Sequence, residues 1–126
     1  MEQVNIKHLT HSGNDWLKAL EFYEEDLKVL QKTLEDIAAD NTGHEVSEGI
    51  EYFQDQFIIH REKIDELKHL ISDNEWDIGS EAQDSAGFVD EGLVEQNNSL
   101  YDQYQTEEKM INELRHQFNE FAAKWM

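Results

Sequence analysis

From Trp16 to Ile37 the apolar side chains recur at Trp16, Leu20, Tyr23, Leu27, Leu30, Leu34 and Ile37, in alternating steps of four and three. With 3.6 residues to a turn, that spacing gathers them on one narrow face of a helix. Ser12 and Asp15 form a loose capping arrangement before the run, and Asp40-Asn41-Thr42-Gly43 breaks it, so the pattern predicts a first helix over about 13–39. Thr42 and Glu45 have the spacing of a capping box, and the seam resumes as Ile50, Phe53, Phe57, His60, Ile64, Leu67 and Ile71. A second helix over about 44–72 is expected. From Ser72 the chain is rich in Gly, Ser and acids as far as Gly92, which reads as a long acidic connection.

The third seam is Leu93, Asn97, Leu100, Tyr104, Glu107, Ile111, Leu114, Phe118, Phe121 and Trp125, predicting a helix over about 90–125. Three amphipathic helices with seams at heptad spacing are expected to pack as an all-α, up-down-up three-helix bundle in a single domain spanning 1–126. Ile58, Ile59 and Leu70 lie off the second seam, and Val94, Tyr101 and Met110 off the third. A wide stripe suits a bundle helix with two neighbours, and it equally suits a homodimer face.

Composition narrows the function classes. The chain has 126 residues, no Cys and no Pro, and 29 Asp+Glu against 10 Lys+Arg, a net charge of -19. Leu, Ile, Val and Phe make up about a quarter of it, enough to build a core. The charge argues against binding nucleic acid or anionic membranes, both of which need a cationic surface. Without Cys there are no disulfides, thiolate metal sites or Cys nucleophiles. No apolar run reaches the length of a membrane span, and Met1 to Thr10 lack a signal-peptide core, so a cytoplasmic protein is expected.

Two polar residues interrupt the apolar seams, His60 and Glu107. Turning the first hairpin near Asn41-Thr42 sets position 60 opposite about position 23, and aligning the seams sets it near 104 and 107. Tyr23, His60, Tyr104 and Glu107 are therefore expected in one buried polar layer. A carboxylate beside an imidazole favours the charged form of both, while burial opposes it. Such a layer commonly fixes helix register without serving a ligand.

Other constellations are weaker. Glu66 with His69 and Glu113 with His116 have the Glu-x-x-His spacing of di-iron bundles. Neither pair lies on a seam, and in an antiparallel hairpin the two stand roughly 27 Å apart along the axis. Asp73, Glu75, Asp77 and Asp84 have some calcium-loop spacing, but Ile78 holds the position where the turn needs glycine. His8 and His11 offer two imidazoles where a structural metal site wants four ligands. There is no Gly-rich phosphate loop, G-x-S-x-G elbow or H-E-x-x-H helix, so no catalytic activity and no cofactor are expected.

The charge is unevenly spread. From His69 through Glu108 there is no Lys or Arg but eleven acids, with Trp76, Ile78, Phe88 and Val89 set among them. Acids would steer a basic protein partner and the aromatics would hold it, making Trp76, Asp77, Phe88, Asp90 and Glu91 the candidate binding residues. Alternatively, Trp76 and Phe88 fold back over the open end of the bundle. The expectation is a non-catalytic interaction or adaptor protein. The competing readings are a carboxylate and His metal-binding bundle around His60 and Glu107, and a nucleic-acid-mimicking inhibitor.

Overall fold

The computed structural model describes the backbone of residues 3–5, 7–84 and 88–126, and the side chains of residues 13–84 and 89–126. The chain is all-α in substance: three long helices, α1 (Lys7–Asp40), α2 (His44–Asp84) and α3 (Glu91–Trp125), with two short strands, β1 (Gln3–Asn5) and β2 (Phe88–Asp90). No described helix is long and apolar enough to cross a membrane.

The first hairpin lies where the sequence breaks. Asn41 holds it with one amide, donating from Nδ2 to Ile37 O at 2.9 Å and to Trp125 O at 3.1 Å. One side chain thus satisfies a free carbonyl at the end of α1 and another at the end of α3. Glu45 reaches across to Lys124 Nζ at 2.7 Å. Along α2 and α3 the partner numbers fall as the residue numbers rise: Glu45 with Lys124, Tyr52 with Gln117, His60 with Glu107, Asn74 with Asn97. Between α1 and α3 they rise together, Tyr23 with Glu108 and Asp26 with Arg115.

The core follows most of the seams predicted from spacing, with Val46 and Ala122 added and Tyr23, Ile50, Phe121 and Trp125 only partly buried against it. Leu20, Leu27, Leu34 and Ile37 of α1 are buried against Phe57, Ile64, Leu67 and Ile71 of α2 and Ile111, Leu114 and Phe118 of α3. Toward the hairpin an aromatic cluster forms, with Phe118 5.2 Å from Phe53 and 5.4 Å from Phe57 between ring centroids, both edge-to-face. At the other end Trp16 stacks on Tyr101 at 5.1 Å.

Three expectations are corrected. The first helix starts at Lys7, not near residue 13. The second does not stop near 72 but runs to Asp84, so the long acidic connection is instead about three more turns of helix and a short link. The seam continues through Asn74, Ile78 and Ala82, all buried. Gly79 costs about 1 kcal/mol in a helix interior, less than the roughly 1.5–3 kcal/mol from burying Ile78. The third correction is the strand pair. β1 and β2 run antiparallel, Val4 opposite Val89, and bring Val89 down onto Ile78, Ala82, Leu93 and Val94 as a second small core. That cluster gives the acidic end its own apolar cover.

Asn74 and Asn97 lock α2 to α3 between the two cores. Asn97 Nδ2 donates to Asn74 Oδ1 at 2.9 Å, and Asn74 Nδ2 to Leu93 O at 3.3 Å, with both side chains buried. Asn74→Ala is expected to cost about 1–3 kcal/mol in urea unfolding, because it strands the Asn97 amide, while replacing both by Leu should be neutral or better. A single substitution as mild as the double one would show that the lock carries nothing.

Candidate functional site

His60 sits mid-way along α2 and Glu107 faces it from α3, each only 3% exposed. His60 Nδ1 lies 2.6 Å from Glu107 Oε1 and 3.2 Å from Oε2, and donates to a carboxylate that can only accept. Among the described residues this is the ring's only hydrogen-bonding partner, which leaves Nε2 unengaged.

Tyr23 and Tyr104, expected in the same layer, join the next residue instead. Both hydroxyls donate to Glu108 Oε2, at 2.7 and 2.9 Å. Consecutive helical residues point about 100° apart, so Glu107 turns to α2 while Glu108 turns to α1. Burial, and then the bond to Glu108, push both phenols above their ordinary value, that of Tyr104 far above it, so they remain donors. The anticipated four-residue layer is thus two adjoining devices, a His60–Glu107 pair and a two-tyrosine clamp on Glu108.

His60 and Glu107 do not close off the surface. A groove between α2 and α3 encloses about 480 Å³, with His60 and Glu107 at its floor, Ile59 and Met110 on its walls, and Lys63 and Asp102 at its rim. A separate, smaller pocket of about 130 Å³ also has His60 and Met110 in its lining, together with Tyr52 and Gln117. Ile59 and Met110, anticipated as a second stripe, are about half exposed, at 52% and 48%.

The metal readings find no assembled donor set. Among the described residues no three His, Asp or Glu stand together as a metal site. His69 pairs with Asp65 and His116 with Glu120, each one turn along its own exposed helix face. Asp73, Glu75 and Asp77 lie on a helix, where positions two apart point about 200° from one another, so they cannot converge as a calcium loop would require. The side chains of His8 and His11 lie outside the described residues.

At the acidic end, Trp76 does not fold back over the core. It is 76% exposed on the outer face of α2, and Val89 fills the role of cover. Asp77 and Glu91 are exposed and Asp90 is half-buried, while the Phe88 side chain lies outside the described residues. Beside them is an open cleft of about 550 Å³ lined by Asp77, Glu81, Asp84, Asp90 and Leu93. Glu81 Oε1 accepts the backbone N–H of Asp90 at 2.9 Å, fixing β2 to α2 and setting the cleft's shape. Glu81 and Asp84 were not among the residues singled out from the sequence. Continuing the three- and four-residue steps past Ile71 would have brought them onto the helix with Asp77.

Glu75 is the odd member of this region. One of its carboxyl oxygens is sealed from water without a hydrogen-bond partner among the described residues, against Gly13 of α1, where a Cβ would collide with it. Burial raises its pKa above 4.5. The folded chain therefore holds this proton more tightly than the unfolded one, and the stabilisation is present below about pH 4.5 and is lost as pH rises. Glu75→Gln is expected to raise the Tm at pH 7 and to lose that advantage near pH 4. The gain should be below about 1 kcal/mol, since water reaches part of the side chain. Thermal melts at the two pH values check it, and an identical gain at both would rule out the buried charge as its cause.

Compared with known proteins, the chain matches no family model, no curated protein and no solved structure, and its function is read from the geometry above.

Proposed function

We propose that this chain is a non-catalytic interaction module, a single-domain up-down-up bundle of the cytoplasm whose acidic end receives a basic segment of a partner protein. The observation that carries the reading is Trp76, a large indole left 76% exposed on a helix face with Asp73, Asp77, Ser80 and Asp84. Exposed tryptophans flanked by charge are typical anchors of protein interfaces. The adjoining cleft, with four carboxylates and Leu93 at its edge, suits Lys or Arg side chains whose aliphatic stems need an apolar bed. No base lies between His69 and Glu108 to neutralise the field that would draw such a segment in. The order of paired residues along α1, α2 and α3 is what an up-down-up bundle requires.

The test is titration of an Arg-rich helical peptide against the protein and its Trp76→Ala variant at low and high salt. Trp76→Ala should weaken binding by roughly thirtyfold, on the order of 2 kcal/mol, while part of the affinity survives high salt. The variant should melt as the parent does, because Trp76 buries little. Binding that vanishes at high salt and ignores Trp76 would mean that charge alone acts, which is the behaviour of a nucleic-acid mimic.

A further inference from the structure

The groove between α2 and α3 is separate from the acidic end and is not explained by partner docking there. We infer that it is a small-molecule site for an amphipathic amine, an organic cation with an aromatic or aliphatic body. Its volume of about 480 Å³ is that of an ordinary ligand pocket, apolar in its walls with a few converging polar groups. Ile59 and Met110 supply the apolar walls, and both are left about half exposed, an arrangement a ligand's body would relieve.

The polar end is set by His60. It is only 3% exposed, lines the groove and the smaller pocket beside it, and has spent Nδ1 on Glu107. The other ring nitrogen, Nε2, has no hydrogen-bond partner among the described residues, so a polar group of a ligand can bond to it. Asp102 at the rim and Glu107 at the floor are carboxylates, and Lys63, the lining's one Lys or Arg, lies 3.9 Å from Glu66 one turn along α2. A carboxylate ligand would meet two like charges and the field of a chain at -19, whereas an ammonium meets acceptors at both ends of the groove. The same charge opposes a second copy of this chain as the occupant, since docking would bring two strongly acidic molecules together.

Three matched probes decide the matter: 4-phenylbutylamine, 4-phenylbutan-1-ol and 4-phenylbutyrate, each titrated against the full chain with the Ile59 and Met110 methyl resonances as reporters. The amine is expected to shift both methyls and to bind about tenfold more tightly than the carboxylate, with the alcohol between them. Asp102→Asn, at an exposed position, should bring the amine down toward the alcohol. Met110→Trp should fill the groove and abolish the shifts, with the retained dispersion of the core methyls reporting an intact fold. Trp76→Ala should leave the amine's affinity unchanged, which separates this site from the acidic end. Equal binding of all three probes, or none, would overturn the proposal. So would amine-induced shifts at Asp77 and Asp84 rather than Ile59, or methyl shifts on simple dilution that reveal a second copy in the groove.

Discussion

Glu107→Ala is expected to destabilise the protein by about 3–5 kcal/mol, a large share of the 5–15 kcal/mol that holds a typical domain together. The loss does not measure the strength of the bond to His60. It arises because the substitution strands His60, 3% exposed and packed between α2 and α3, with a polar nitrogen that has lost its 2.6 Å partner. Because the groove reaches the floor on which both residues sit, water can enter and repair part of the damage, so the lower half of that range is the better expectation. Replacing both residues with Leu should be nearly neutral, since two desolvated polar groups vanish together. Urea unfolding of the parent, His60→Leu, Glu107→Leu and the double Leu variant closes the cycle. A single substitution costing under about 1 kcal/mol would mean that the pair is solvated in solution and does not fix the register of α2 on α3.

The second large effect lies in the aromatic cluster. Phe57→Ala and Phe118→Ala should each cost about 3–5 kcal/mol, because both rings are fully enclosed and neither neighbouring helix can collapse into the space without moving its own seam. Their centroids are 5.4 Å apart at 64°, an edge-to-face pair, so the two losses should fall short of additivity by about 0.5–1.5 kcal/mol. Strict additivity in chemical denaturation would show that the rings contribute area alone. By contrast, Phe22→Ala, at a ring 61% exposed, should change little, although Arg115 lies 6.0 Å from its centroid.

How far the chain can be read without its fold depends on where the information lies. The seams of α1 and α3, and of α2 as far as Ile71, are local periodicity, and the break at Asp40 to Gly43 is local chemistry, so the three helices and most of the core follow from spacing alone. The opposition of His60 and Glu107 also follows, because a tight hairpin and a constant rise per residue leave few registers once the seams must meet. Spacing could not separate Glu107 from Glu108 as partner of the tyrosines. That choice rests on a turn of about 100° between neighbours, smaller than the uncertainty in the rotation of a helix inferred from its pattern.

The last three turns of α2 were illegible for a related reason. A polar Asn74 in the seam, Gly79 and a dense run of acids together look like a linker. What makes them helix is Asn97, whose amide satisfies Asn74 across 23 residues of chain, and Val89, which is carried onto Ile78 and Ala82 by a three-residue strand pair with the start of the chain. The exposure of Trp76 follows from the same event, because once α2 continues, helical geometry turns position 76 outward and the cover must come from elsewhere. Local patterning therefore accounts for which segments are helical and which faces are apolar, since propensity and periodicity act within a few turns. Where α2 ends, what caps the acidic end and which side chains stay in water depend on partners distant in sequence, whose contacts exist only after the helices have packed.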